Sequence, residues 1–156
     1  MDILSYRAAD RNSILNYSLA PESLAFTRTP REALAYGRGR HGYYPYLCLA
    51  DKQLVGFFVL DAGADKYRYT ADSSGLLLRS FSVADPYRGK GYAKAILKQI
   101  PDFIAENFPQ FKTVVLGVNK QNKIAVNLYR NHGFSETGRT YLNTKGRQLI
   151  MEMHLQ

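Results

Sequence analysis

Apolar residues recur along the chain with two periods, and the alternation between them divides it into strands and helices. Gln53-Leu54-Val55-Gly56-Phe57-Phe58-Val59-Leu60 is apolar at nearly every position and predicts a strand. Tyr46-Leu47-Cys48-Leu49-Ala50 precedes it across the polar turn Asp51-Lys52, so the two runs predict a hairpin. Leu76 to Val83 and Phe111 to Val118 predict two further strands. Ala93, Ile96, Leu97 and Ile100 fall at helical spacing, and a weaker helical pattern runs from Asp10 to Tyr17 after a first strand around Ile3 to Arg7. Phe134 to Tyr141 and Gln148 to His154 predict a closing hairpin around Asn143-Thr144-Lys145-Gly146.

Punctuating residues sharpen these elements. Thr29-Pro30-Arg31-Glu32 combines a capping hydroxyl, a proline suited to the first helical position and a glutamate three residues after the cap, so a short helix starts there. Gly133 is placed to end a helix running from Asn122 through Tyr129 in a left-handed conformation. Pro101 interrupts the apolar pattern between Ala93 and Ile104; an interior proline costs a helix about 3 kcal/mol, which predicts a kink near Ile100 and a restart at Pro101. Asp61 to Gly75 is the most irregular stretch; its Asp61, Asp65 and Asp72 could attract a polyamine, but exposed loop acids are the commoner case and are expected here.

Composition restricts the class. A chain of 156 residues with 46% hydrophobic and 13% aromatic content forms one domain, residues 1–156, with a substantial core. No run approaches the roughly 20 apolar residues of a membrane span. The start lacks a basic region followed by an apolar one, so a soluble, cytoplasmic protein with no membrane partner is expected. The single Cys48 forbids an internal disulfide and is expected to be a small buried hydrophobe. His41, His132 and His154 have no Cys or acidic partners at ligand spacing, so no metal is expected.

The net charge of +8 suits a polyanionic ligand. Its sharpest local expression is Arg88-Gly89-Lys90-Gly91-Tyr92-Ala93, where a strand gives way to a helix. Glycines allow left-handed angles and close approach, and a first helical turn presents unpaired N–H groups with partial positive charge. Such a turn binds phosphates well, although a solvated strand-to-helix connection has the same composition. The spacing is neither that of a P-loop nor that of a dinucleotide fingerprint. A second reading of the charge is nucleic acid, for which Gly37-Arg38-Gly39-Arg40-His41-Gly42-Tyr43-Tyr44 sets arginines beside aromatics. One short run without a wider patch is weak support for it.

Two motifs in order carry a family resemblance. Arg88, Gly91 and Ala93 match the Arg/Gln-x-x-Gly-x-Gly/Ala signature of the GNAT superfamily of acetyl-CoA-dependent N-acetyltransferases. Asn122, Ala125, Leu128, Tyr129, Gly133 and Phe134 match its Asn-x-x-Ala-x-x-Leu-Tyr-x-x-x-Gly-Phe signature. The chain resembles that superfamily closely from Leu76 onward and in element pattern before it. The resemblance implies an α/β fold with a mixed, largely antiparallel sheet of six or seven strands and helices on both faces.

It also implies acetyl-CoA as cosubstrate. The diphosphate would meet Arg88, Gly89, Lys90, Gly91, Tyr92 and Ala93, with Lys94, Lys120 or Lys123 near the remaining phosphate. The backbone of Phe81, Ser82 and Val83 would pair with the pantetheine arm, and Asn122 would bind that arm or cap its own helix. Tyr129 is the implied general acid; a phenol near 10 and a thiol near 8.5 make full proton transfer uphill by about 2 kcal/mol. The implied acceptor is a small-molecule amine, with a protein N-terminus or lysine as another acceptor class. A non-catalytic acyl-CoA sensor or RNA-binding module on the same scaffold is the reading of a different class. A homodimer is compatible with the family. One departure stands out: many relatives carry a glutamate on the strand before the diphosphate turn, whereas Leu76 through Ala84 has no carboxylate. Asp85, Glu32 and Glu152 lie nearest, and none is assigned as base. Tyr36, Tyr43, Tyr44, Tyr46 and Tyr141 are expected around the acceptor.

Overall fold

Seven strands form one sheet, and its continuous apolar runs are covered from both sides. The computed structural model describes residues 1–155. Strands β1 (Asp2–Ser5), β2 (Tyr43–Ala50), β3 (Gln53–Asp61), β4 (Gly75–Val83), β5 (Thr113–Asn119), β6 (Ser135–Asn143) and β7 (Gly146–His154) lie in the order β1-β2-β3-β4-β5-β7-β6. All neighbours are antiparallel except β4 and β5. The helices are α1 (Arg11–Leu15), α2 (Pro21–Leu24), α3 (Pro30–Gly37), α4 (Tyr92–Asn107) and α5 (Lys123–Arg130). This is the mixed, mostly antiparallel α/β architecture that the sequence implies.

Period-two alternation along β3 explains the layers. Phe58 and Leu60 join Ile96, Ile100 and Ile104 of α4 in the larger core, while Phe57 and Val59 join Ile14 of α1 and Ala33 of α3 on the opposite face. A strand buried on both faces has no room for polar positions, which is why residues 54–60 read as unbroken apolar sequence. Asp51 and Lys52 both take left-handed angles (φ +48° and +66°), as a two-residue hairpin turn of right-handed twist demands.

The local signals at helix ends are realised. The Glu32 N–H donates to Thr29 Oγ1 at 3.1 Å and the Thr29 N–H donates to Glu32 Oε1 at 2.9 Å, closing a reciprocal cap at the start of α3. Gly133 is left-handed (φ +96°), and the Phe134 N–H returns to the Tyr129 carbonyl at 3.1 Å, ending α5. The expected restart at Pro101 does not occur: α4 runs through it as one helix. Buried Ile96, Leu97, Ile100 and Ile104 span the proline, and their packing against the sheet outweighs one missing hydrogen bond.

A second expectation is overturned between β3 and β4. The stretch is not an exposed loop. It forms a 3-10 turn at Ala64–Arg68, and Asp61 and Asp65 are buried at 3% and 6% exposure. Only Asp72 faces solvent, where its carboxylate accepts from the Ser74 N–H. The buried Lys66 ammonium donates to the Ser73 and Gly75 carbonyls at 2.6 and 2.7 Å and ties this turn to the start of β4. Among the described residues no helix is long and apolar enough to cross a membrane.

The cap of α3 yields a stability prediction. Thr29→Ala removes one half of the reciprocal cap and is expected to lower unfolding free energy by about 1 kcal/mol. Urea denaturation followed by circular dichroism measures it, and an unchanged midpoint would show that α3 is held by packing alone.

Candidate active site

The site begins where two strands part. β4 and β5 pair over only three positions, Gly75 with Thr113, Leu76 with Val114 and Leu77 with Val115, although each strand continues beyond them. Just past the parting, β4 bulges: Phe57 pairs with Ser82 and Val59 with Arg79, so Ser80 and Phe81 together oppose Phe58. Ser80 takes a left-handed angle (φ +54°) to accommodate the extra residue. The result is a cleft of about 1020 Å³ walled by residues 78–83 of β4 and 116–119 of β5, and bordered by α5 and the turn before α4. Main-chain groups of β4 directed at this gap lack the ladder that would otherwise satisfy them.

The glycine turn opens onto the same cleft. Gly89 and Gly91 are left-handed (φ +73° and +86°), and a Cβ at either would meet nothing within 4 Å. Conformation, rather than crowding, thus requires glycine there. Among the described residues, the N–H groups of Gly89, Lys90, Gly91, Tyr92, Ala93 and Lys94 find no protein acceptor; the first internal bond of α4 is from the Ala95 N–H to the Gly91 carbonyl at 3.1 Å. A run of free amides at the start of a sixteen-residue helix is the cradle that a diphosphate fits.

Most residues singled out in the sequence converge on this cleft. Phe81, Ser82, Val83, Arg88, Gly89, Gly91, Tyr92, Ala93, Asn122 and Tyr129 all line it. Lys90 does not; its ammonium sits 5.9 Å from the Tyr87 ring centroid. Lys94 borders the cleft and Lys98, one turn on, joins it, whereas Lys120 and Lys123 stay outside. Arg88 reaches across to Glu22 at 3.2 Å and Asp85 at 3.5 Å, so its guanidinium already has carboxylate partners at the rim. The Ser82 hydroxyl is bonded to the Tyr17 hydroxyl at 2.7 Å, leaving the backbone of that residue as its contribution to the gap.

Asn122 caps α5, accepting from the Ala125 N–H at 3.2 Å. Tyr129 is half-buried on the cleft wall with its ring 6.4 Å from that of Phe81 and 5.7 Å from that of Phe134. Burial among these rings pushes its phenol above the ordinary value, so it stays protonated at neutral pH. Cys48 lies fully buried in the core, outside the cleft lining, with its thiol pushed up to about 12 by burial.

A second cavity of about 170 Å³ adjoins the first, and Phe26, Thr27, Leu78, Arg79, Ser80 and Gly117 border both. Its polar wall was not legible in the sequence. Arg79 of β4 donates from one Nη1 to Asp61 at 3.0 Å and Asp65 at 2.9 Å; Tyr36 also donates its hydroxyl to Asp65. Burial works against the Asp65 carboxylate, but the bonds from Tyr36 and Arg79 outweigh it and hold its carboxyl below the ordinary value. The one available signal was an arginine inside the apolar run Leu76-Leu77-Leu78-Arg79, since a charge in a buried strand needs partners.

Of the five tyrosines expected around the acceptor, Tyr36 and Tyr141 line this cavity. The other three do not. Tyr43 donates to the Ala33 carbonyl at 2.7 Å, and Tyr44 and Tyr46 pack on Phe108 and on Phe58 with Phe103. Arg40, from the basic-aromatic run, bonds the Tyr36 carbonyl at 3.0 Å and faces Asp65 at 3.7 Å. Among the described residues no group of three or more His, Cys, Asp or Glu could hold a metal ion.

A parted parallel strand pair, with a free amide turn at the cleft it opens, defines a binding site for an extended ligand that carries an anionic group. Residues 12–134 match the acetyltransferase (GNAT) family. The chain is 33% identical over 151 residues to the uncharacterized N-acetyltransferase YbbJ of Bacillus subtilis (strain 168), covering 96% of this chain and 94% of that one. It is 25% identical over 134 residues to the spermine/spermidine N(1)-acetyltransferase of the same strain, covering 86% and 87%. Its fold superposes on aminoglycoside acetyltransferase AAC(6')-Ib in complex with coenzyme A and kanamycin with a TM-score of 0.77, at 14% identity over 98% of this chain and 95% of that one. The chain belongs to the acetyltransferase (GNAT) family and is an acetyl-CoA-dependent acyltransferase.

The turn yields a binding prediction. Gly91→Ala forces a Cβ into a left-handed position at a cost of about 1–2 kcal/mol. Coenzyme A affinity by titration calorimetry is expected to fall about tenfold; undiminished affinity would separate the turn's left-handed geometry from binding.

Proposed function

We propose that the protein transfers the acetyl group of acetyl-CoA to the amine of a small molecule by direct attack within a ternary complex. The continuity of the two cavities at the strand parting carries this reading. In it, the larger cleft holds the coenzyme with its diphosphate on the Gly89–Lys94 amides and its arm along β4, and the smaller cavity holds the acceptor. The thioester carbonyl then lies at the shared border, where a main-chain N–H of the Phe81–Val83 segment stabilises the developing oxyanion. The free-amine nitrogen attacks the carbonyl carbon, the C–N bond forms and the nitrogen gives up one proton to water; the C–S bond breaks, and the departing sulfur takes the Tyr129 phenolic proton. Water reprotonates Tyr129.

Two observations support direct attack by an amine. The one cysteine is sealed in the core, so it offers no acyl carrier. The carboxylates nearest the acceptor cavity are engaged and weakened as bases: Tyr36 and Arg79 hold the Asp65 carboxyl below its ordinary value, and the Thr29 N–H and hydroxyl do the same for Glu32. Amine deprotonation therefore runs to water. For an amine near pKa 10.4 this costs about 4.6 kcal/mol at pH 7, so surroundings that lower the amine's own pKa become part of the mechanism.

Tyr129→Phe is expected to lower kcat about 10²-fold with coenzyme A affinity unchanged. Thiol release coupled to mass spectrometry of the acetylated product reads the rate, and undiminished kcat would remove Tyr129 from proton transfer. Because its phenol is raised above 10, kcat is expected to rise with pH as the amine deprotonates and to show no loss from Tyr129 ionisation below pH 10. An alkaline decline that starts lower and disappears in the Phe variant would contradict that assignment.

A further inference from the structure

The walls of the smaller cavity carry four cations, Arg28, Arg68, Arg79 and Lys145, and no carboxylate. Two carboxylates stand behind them, and both are already engaged. Asp61 and Asp65 face Arg79, and Asp65 also faces Arg40 and Arg68, each at 3.7 Å. Lys145 reaches the Leu24 carbonyl at 2.9 Å, a neutral acceptor. Arg28 stacks on the Tyr36 ring at 4.0 Å from its centroid, and its Nη1 is buried with no hydrogen-bond partner among the described residues. Tyr36 is in turn held by Asp65 through its hydroxyl and flanked by Arg40, also 4.0 Å from its ring centroid. The ring that supports Arg28 is thus fixed from two sides. A guanidinium that lines the cavity without a carboxylate or hydrogen-bond partner among the described residues leaves its donors for a ligand, and on a wall of four cations the matching ligand is an anion.

We propose that the acceptor is an amine that also carries a carboxylate, and that Arg28 anchors that carboxylate; this rests on the acetyl-transfer reading and on the smaller cavity as the acceptor's place. Polycationic amines meet the reverse of what they need there, since each added ammonium is brought against Arg28, Arg68 and Lys145 with no free acid on the wall to receive it. The same cations act on the reacting nitrogen. Positive charge nearby disfavours the ammonium form and lowers its pKa, which supplies free amine without a carboxylate base. A carboxylate anchor and a missing base are therefore two consequences of one cationic wall. The guanidinium fork of Arg28 suits a planar carboxylate held at fixed distance from the amine, so the class reduces to small amino acids rather than long polyamines.

The test uses pairs of amines that differ only in the acid: small amino acids against their primary amides, with spermidine as the polycation. Each is assayed for acetyl-CoA-dependent thiol release. Acids are expected to exceed their amides at least tenfold in kcat/KM. Arg28→Gln is expected to shrink that ratio at least tenfold through KM, and Arg28→Lys to restore part of it; thermal melting of each variant separates loss of the anchor from loss of the fold. Amides or spermidine matching the acids, or a ratio indifferent to Arg28→Gln, would overturn the proposal while leaving acetyl transfer intact. If no amine releases thiol although acetyl-CoA binds, the transfer reading fails, and calorimetric titration of the same acids into the acetyl-CoA-loaded protein decides the pocket. Acid uptake that Arg28→Gln abolishes sustains the anion site; no uptake rejects it.

Discussion

Everything in the site depends on main-chain hydrogen bonds that β4 and β5 do not make. Three parallel pairs hold the strands together at one end, and beyond Leu77 and Val115 they diverge. A buried strand edge without partners is costly, so the gap is a place for a ligand that brings its own donors and acceptors. The bulge at Ser80 and Phe81 strengthens the local twist of β4 and carries it away from β5. On its other edge β5 keeps seven pairs with β7. The parting is therefore confined to one seam, and it does not loosen the core on either face.

Two devices of different physical kind flank that seam. On one side the Gly89–Lys94 amides offer neutral donors and the partial charge of α4, whose long apolar face is fixed by Ile96, Ile100 and Ile104 on the sheet. On the other side full charges are assembled around Arg79, with two carboxylates, a phenol and neighbouring guanidiniums. The first can be built locally, from one turn and one helix. The second needs residues from α3, β3, the 3-10 turn and β4 to meet, and it is sustained because each buried charge has a partner.

Much of this architecture was legible along the chain. β3 read as a strand from its apolar run, the reciprocal cap of α3 was written in Thr29 and Glu32, and the left-handed stop of α5 in Gly133. The amide turn at Arg88–Ala93 was legible too, because it depends on contiguous residues, whereas Phe81–Val83, Asn122 and Tyr129 were reached through the family resemblance. The restart expected at Pro101 misled because local helix cost was weighed without the packing of α4 on the sheet on both sides of the proline. Asp61 and Asp65 misled because acids in an irregular stretch are usually solvated, and their partner lies 14 and 18 residues away in β4. The five tyrosines divided by tertiary placement, Tyr36 and Tyr141 to the cavity wall, Tyr43 and Tyr46 to packed positions and Tyr44 to a partly exposed one, which side-chain type alone does not specify.

Periodicity, caps and turn chemistry thus determined the elements, their order and the diphosphate turn, since each rests on interactions between residues close in sequence. Only the tertiary structure decided how far β4 and β5 stay paired, which charges are buried, and that an arginine from the segment before α3 ends with an unpaired nitrogen in the cavity wall. Those outcomes depend on distances between segments far apart in the chain, and low local dielectric magnifies their energetic weight. Local order follows from short-range sterics and hydrogen bonding; the charge field around the smaller cavity exists once distant residues are brought together.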